Sequence, residues 1–286
     1  MVDQNSASNP DPNILTYSSP EVAQCYASLN YLTACERLLF EQHLQPGMAI
    51  LDLGVGGGRT TPYLSSIAER YVGIDYSAPM IAACREKFPQ LEFEVGIAAD
   101  LSKIPSSSFD AVVMAFNAID YVVPAQSRTR ALQEIHRVLK PSGLFIFSSH
   151  NPRSVLARVS WNPKRVRDMA ESVVGQDSAL FQPLLAGLTG LRAIVACLQA
   201  FGKSLKRAFD KLPTRSFWRG SGYRMDAAHG GLMTYFSIPQ QTVRELEENS
   251  FQSMRILGDD YPRTSHIYST DWYYYVFSRT EITGEK

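Results

Sequence analysis

The feature that most constrains this chain is a cluster of glycines at the end of a short apolar run. Ala49-Ile50-Leu51-Asp52-Leu53 has the length and character of a buried strand, and it leads directly into Gly54-Val55-Gly56-Gly57-Gly58. The residues that follow, 60–68, read as a helix. A strand, a glycine turn and a helix in that order let bare backbone approach a bound group closely, and the helix start offers unpaired N–H donors to an anionic one. Dinucleotide enzymes use a similar loop, so the cluster alone does not name a ligand. Against the dinucleotide pattern G-x-G-x-x-G, Gly54 and Gly56 match, but Arg59 stands where the third glycine belongs. A tight turn with no ligand is the plainer alternative, disfavoured by its place at the end of the first strand.

The alternation continues along the chain. Residues 71–75 predict a second strand, 78–87 a helix, 91–96 a third strand and 111–116 a fourth. A helix around residues 130–139 stops at Lys140-Pro141-Ser142-Gly143, and 144–148 read as a fifth strand. Ahead of the first strand, Val22, Tyr26, Leu29, Leu32, Cys35, Leu38 and Leu39 recur at helical spacing, which indicates an amphipathic helix or helix pair broken by Pro46-Gly47. Regular alternation of this kind implies an open, doubly wound α/β domain whose mainly parallel sheet is covered on both faces. In the tail, residues 237–249 read as a helix, and 253–257 and 271–278 as strands whose long connection brings them together antiparallel. The run Trp272-Tyr273-Tyr274-Tyr275-Val276-Phe277 fits a buried strand better than a stacking platform for bases.

Gly73-Ile74-Asp75-Tyr76-Ser77 places a carboxylate at the end of the second strand, about 20 residues beyond the glycines, where it can accept both hydroxyls of a ribose. An adenosine-containing cofactor is thereby supported. Asp75 can also serve the helix that follows as a cap, and the two roles are compatible.

The whole series resembles the class I S-adenosylmethionine-dependent methyltransferase family. The resemblance covers residues 45–150 and rests on order and spacing together: Ile50 to Gly58, then Gly73-Ile74-Asp75, Asp100-Leu101 with Ile104-Pro105, Phe109-Asp110, and Glu134-Ile135-His136-Arg137-Val138-Leu139-Lys140-Pro141-Ser142-Gly143-Leu144. It implies a seven-stranded sheet with the last strand antiparallel, and S-adenosylmethionine as cofactor. Carried to these positions, it implies Gly54, Gly56 and Gly58 beside the methionine part, with Asp52 just ahead of them. Asp75 falls on the ribose, Tyr76 against the adenine face, Asp100 and Leu101 at the adenine edge, and Asn117 near the sulfonium; Tyr17 and Met80 are expected at the same site.

The expected organisation is a disordered polar leader (1–15), N-terminal helices and cofactor-binding core (16–150), a helical basic insertion acting as lid (151–230), and a C-terminal completion of the core sheet (231–286). The insertion holds 13 Lys and Arg against 5 acids, although the whole chain carries 28 of each and is formally neutral. Its cations fit a solvated face, an anionic partner such as tRNA, or an apolar helix resting on a membrane surface. The first is preferred, with Phe181, Phe217, Trp218 and Tyr223 lining a pocket beneath the lid. Residues 180–201 contain Gln182, Pro183 and Arg192, which argues against a transmembrane span. The polar N-terminus lacks a signal-peptide pattern, and the four cysteines form no C-x-x-C pair, so a cytoplasmic location fits best. His43, His136 and His266 show no ligand spacing, and no metal is expected. Nothing in the sequence bears on oligomeric state.

The expected activity is in-line methyl transfer to a small organic acceptor, apolar or aromatic, at oxygen, nitrogen or carbon. Positioning supplies most of such catalysis, and a general base is needed only where the nucleophile keeps a proton. His150, at the end of a central strand, is the first candidate; Asp120 and Tyr121 are alternatives, followed by His229 and Tyr235. The competing functions are a nucleic-acid methyltransferase, a cofactor-binding module without turnover, and a nicotinamide-dependent oxidoreductase.

Overall fold

The computed structural model describes residues 12–153, 219–226, 232–259, 261 and 270–281. Its central sheet is built from β1 (Met48–Leu53), β2 (Ala68–Asp75), β3 (Glu92–Val95), β4 (Phe109–Met114), β5 (Leu139–His150), β8 (Phe251–Gly258) and β9 (Trp272–Arg279). A separate hairpin is formed by β6 (Ser221–Asp226) and β7 (Leu232–Ser237). The helices are α1 (Pro12–Tyr17), α2 (Pro20–Ala27), α3 (Ala34–His43), α4 (Thr61–Ile67), α5 (Ala78–Lys87), α6 (Ala125–Val138) and α7 (Pro239–Glu248).

The seven strands lie in the order β3-β2-β1-β4-β5-β9-β8. Strands β1 to β5 run parallel, and β9 is antiparallel to both its neighbours, β5 and β8. The last strand is therefore reversed as expected, and it lies inside the sheet with β8 at the edge. Period-two side-chain alternation builds two cores. Leu51, Leu53, Val112, Met114, Phe145, Phe147, Tyr275 and Phe277 pack on one face with Leu132 and Ile135 of α6 and Leu246 of α7. Ile50, Ala111, Val113, Ile146, Tyr274 and Val276 pack on the other with Leu39 of α3, Leu64 of α4 and Ile81 of α5. The aromatic run of β9 is core, since Tyr273 to Phe277 are all buried.

The strand order reverses between β1 and β4, and a crevice opens at such a switch point beyond the carboxyl ends of the strands. The glycine turn follows β1 there, and a 3-10 turn, Ala118–Tyr121, follows β4.

Three expectations are corrected. The leader expected to be disordered to residue 15 gives way to α1, which contains residues 12–15. Its Asn13 is buried, with Nδ2 donating to Tyr121 O at 3.3 Å and Met233 O at 2.8 Å, while its Oδ1 accepts from Met233 N at 2.9 Å. Residues 140–143 do not end an element before the fifth strand; they bulge within β5, where the pairing with β4 jumps from Phe109↔Leu139 to Ala111↔Leu144. The end of the basic segment, 221–226, is a strand, and its partner β7 belongs to the hairpin instead of completing the core sheet. The helical reading of 154–218, with Phe181, Phe217 and Trp218, lies outside the described residues, as does His229.

Candidate active site

A cavity of about 560 Å³ occupies the crevice. Its floor is the glycine turn, and two glycines there are required for different reasons. Gly54 has φ +75°, a left-handed conformation that side chains disfavour, and a Cβ on it would stand 2.7 Å from Ala118 Cβ. Gly57 has no such φ, but a Cβ on it would collide with the backbone of Tyr26 and Ala27, so the end of α2 rests directly on the turn.

Buried polar groups hold the turn from below. Asp52 Oδ2 accepts from Thr60 Oγ1 at 2.7 Å and from Tyr71 OH at 2.9 Å. Burial pushes its carboxyl up to about 6, against the lowering effect of those two hydrogen bonds. Arg59 lies across the turn in a near-buried bidentate pair with Glu36 of α3, at 2.7 and 2.5 Å. Glu36 also closes the α3 capping box with Thr33. At the end of β2, Asp75 accepts from Gly56 N through Oδ2 and from Ser77 N through Oδ1, both at 2.9 Å. Burial raises its carboxyl above the usual range, opposed by these backbone donors. Tyr17 of α1 roofs this end, edge-on to the rings of Tyr26, Tyr76 and Tyr121.

A second polar chain enters from the β4–β5 side. Asp120, fully buried, accepts from His150 N at 2.7 Å, from Ser149 Oγ at 2.8 Å and from His150 Nδ1 at 2.8 Å. A carboxylate on Nδ1 fixes the tautomer with the proton there and leaves Nε2 as the acceptor. Asn117 Nδ2 donates to that Nε2 at 3.2 Å. Behind Asp120, Arg128 Nη1 lies 3.7 Å away, and its guanidinium pairs with Glu245 of α7 at 2.8 and 3.1 Å. Asn117 has φ +62°, and its N–H donates to Ser148 Oγ at 2.8 Å; its buried Oδ1 has no hydrogen-bond partner among the described residues.

Of the residues singled out in the sequence, the structure brings Tyr17, Gly54, Gly56, Asp75, Tyr76, Met80, Asn117, Tyr121 and His150 to the cavity wall. Asp52, Gly58, Asp100, Leu101 and Asp120 do not line it. Asp52 and Asp120 are consumed by the hydrogen bonds just described. Gly58 faces Phe88 and Cys84. Leu101 is in the core, with its N–H donating to Glu134 Oε2 at 2.9 Å, and the Asp100 carboxylate accepts from Ser102 N at 3.1 Å. The neighbouring Ile97, Ala98 and Ala99 form that part of the wall. Tyr235 stacks under Arg128, and Tyr223 OH donates to Val122 O at 2.8 Å. Sequence reasoning missed Tyr26, Phe116, Arg224 and Phe236 as lining residues, and weighed Arg59 only as a mismatch. Arg224 and Phe236 come from the hairpin, which carried no motif.

Residues 51–147 match the model of a methyltransferase domain. This match and the relatives it accompanies support the class I S-adenosylmethionine-dependent methyltransferase family for this chain. A probable S-adenosylmethionine-dependent methyltransferase of Mycolicibacterium smegmatis is 25% identical over 223 residues, 77% of this chain and 76% of that protein. An uncharacterized methyltransferase of Synechocystis is 34% identical over 114 residues, 40% of this chain and 52% of that protein. In fold, the methyltransferase is similar to the crystal structure of an S-adenosylmethionine-dependent methyltransferase from Mesorhizobium loti, with TM-score 0.56 at 18% identity over 86% of this chain and 98% of that one.

The cofactor is S-adenosylmethionine, and the residues present suit it. A bare glycine turn, a cavity-facing carboxylate at the end of β2 and the unpartnered Asn117 Oδ1 offer close backbone approach, a ribose acceptor and a negative dipole for a sulfonium. Among the described residues no group of three or more His, Cys, Asp and Glu is gathered as for a metal, and no helix is long and apolar enough to cross a membrane.

Proposed function

We propose that the methyltransferase acts on a small apolar or aromatic acceptor, at an oxygen or nitrogen that carries a proton, and that His150 receives this proton. The observation that carries the reading is the buried Asp120 bonded to His150 Nδ1 at 2.8 Å, which turns Nε2 toward the cavity that the glycine turn also lines. When bound, the cofactor supplies an activated methyl carbon with a neutral thioether as leaving group. Gly54 and Gly56 would lie against its methionine part, Asp75 would take the ribose hydroxyls, and Tyr76 and Met80 would flank the adenine.

The acceptor's O–H or N–H replaces Asn117 Nδ2 as the donor to His150 Nε2. Proton removal by a positioned imidazole contributes about 10²- to 10⁴-fold. Phe116, Tyr121, Val122, Phe236 and Trp272 give that end of the cavity an apolar, aromatic wall that excludes water and orients a flat acceptor.

The test has two stages. Calorimetric titration with S-adenosylmethionine, S-adenosylhomocysteine and NADH should show binding of the first two alone. A screen of phenols, hydroxyquinones and arylamines with labelled methyl donor should then yield an acceptor whose methylation His150→Ala abolishes while cofactor affinity is unchanged. An acceptor turned over equally well by His150→Ala removes the proposed base.

A further inference from the structure

We infer that Arg128 is a positioning residue for His150: its guanidinium holds the turn that carries Asp120 and offsets the charge of that carboxylate, which keeps Nε2 bare until an acceptor arrives. This rests on the reading of His150 as the base. Arg128 lies in the first turn of α6 and is 2% exposed, and three elements fix its guanidinium. Nε and Nη2 donate to the two carboxylate oxygens of Glu245 on α7, at 2.8 and 3.1 Å. Nη1 donates to Ile119 O at 2.8 Å, the carbonyl just ahead of Asp120, and stands 3.7 Å from Asp120 Oδ1. The Tyr235 ring of β7 covers one face, with its centroid 4.1 Å from the guanidinium carbon.

The turn needs such an anchor. It is entered through Phe116 and Asn117, with φ +55° and +62°, a region that side chains rarely adopt, so contacts must hold it. Asn117 N on Ser148 Oγ ties its start, and Arg128 on Ile119 O ties its middle. Asp120 is fully buried, where a carboxylate without a nearby cation is costly. With Arg128 alongside, it orients the imidazole through Nδ1 without also drawing a second proton onto the ring. Burial raises the phenols of Tyr223, Tyr235 and Tyr275 above their ordinary range, so these neighbours stay neutral. Among the described residues facing Asp120 from behind, that leaves Arg128 and Glu245 as the charges. On the cavity side, Arg224 stands behind the Phe236 ring, itself 5.3 Å from the His150 ring, and is common to every variant below. Glu245 is 23% exposed and screened by water, and without it more of the Arg128 charge falls on Asp120. The two charges therefore act on His150 with opposite sign, which a merely structural ion pair would not do.

Long-range proton–nitrogen correlation spectra of the full chain, labelled with nitrogen-15 histidine and followed across pH, test this; loss of signals in His150→Gln identifies that ring. The pH at which Nε2 gains a proton should rise by about one unit or more in Arg128→Met, the scale of one charge removed from a few ångströms away in a protein interior. It should stay near the wild-type value in Arg128→Lys, which keeps the charge, and it should fall in Glu245→Gln. Melting temperatures show which variants are folded. Should Arg128→Met fail to fold, the fall in Glu245→Gln decides alone. An unmoved midpoint in folded Arg128→Met, a shift of Arg128→Met and Glu245→Gln in the same direction, or a Glu245→Gln midpoint at or above wild type overturns the inference. Those outcomes leave the His150 reading standing; that reading fails instead where His150→Ala turns over an acceptor as well as the unaltered protein does.

Discussion

Asp120 grips His150 twice, accepting from its backbone N–H at 2.7 Å and from its ring Nδ1 at 2.8 Å. The double contact sets both the position of the imidazole and its tautomer. Asp120→Asn removes the negative charge that stabilises a protonated imidazole while keeping the side-chain volume and one acceptor oxygen. With a proton-bearing acceptor, kcat should fall about 100-fold or more, and the affinity for S-adenosylmethionine should stay within about twofold. Steady-state kinetics paired with calorimetric titration separates the two quantities. A parallel loss of cofactor affinity would show that the dyad shapes the cofactor site.

Asp75 should control cofactor affinity without controlling the fold. Its carboxylate accepts two backbone N–H groups at 2.9 Å, and a ribose would add hydroxyl donors to it. Asp75→Ala is expected to weaken S-adenosylmethionine by about 10- to 100-fold, the range for hydrogen bonds to a charged group. Calorimetric titration reads this directly, and unchanged affinity would place the ribose elsewhere.

Asp52 predicts an unusual dependence of stability on pH. Burial raises its carboxyl from 3.8 to about 6, so between those values the folded state binds more protons than the unfolded one. The contribution of this group to stability therefore falls as pH rises through that window, the reverse of a carboxylate whose value is depressed. Above the window, keeping Asp52 ionised in the folded protein costs about 3 kcal/mol, because a tenfold change in proton affinity corresponds to about 1.4 kcal/mol. Asp52→Asn should remove the slope and stabilise the protein at pH 7.5 relative to pH 4.5, because Thr60 and Tyr71 hydroxyls can accept as well as donate. Urea denaturation of both proteins at the two pH values checks the difference, and parallel curves would contradict the assignment.

Which parts of the site were legible in the sequence follows from what local order encodes. The glycine turn, Asp75, Asn117 and His150 each sit at the carboxyl end of a strand, and strand ends in an open α/β sheet converge whatever the side chains are. The antiparallel β9 could be read because Phe251–Gly258 and Trp272–Arg279 are separated by a long connection. Asp100 and Leu101 were expected at the wall, but the turn closed by Asp100 N and Ile97 O aims Ile97, Ala98 and Ala99 there instead. Arg224 and Phe236 reach the cavity through a hairpin whose pairing is tertiary. Asn13 is held by Met233, 220 positions away, and no local pattern encodes such a contact. The buried partners Glu36 and Arg59 lie 23 positions apart and were equally invisible.

That pair allows a sharp measurement. Glu36 and Arg59 are 2% and 8% exposed, so removing one strands a near-buried charge. Arg59→Met and Glu36→Gln should each cost about 3–5 kcal/mol. The double variant should cost clearly less than the two losses added, because it leaves neither charge unpaired. A thermodynamic cycle from denaturant midpoints gives the coupling, and strict additivity would mean that the two side chains act independently.

Gly57 offers the strictest test of how α2 meets the turn. Its backbone would suit alanine, so any penalty must come from the collision of a new Cβ with the backbone of Tyr26 and Ala27. Neither a side-chain rotamer nor a flexible chain end can relieve that contact. Gly57→Ala must therefore push α2 away and carry Tyr26, which lines the cavity, with it. S-adenosylmethionine should bind at least about tenfold more weakly, and amide hydrogen exchange should rise in residues 20–27 while the buried strand β4 is unaffected. Gly57→Ser should behave alike because it adds the same Cβ. Wild-type exchange in α2 with wild-type cofactor affinity would mean that the helix already stands clear of the turn in solution.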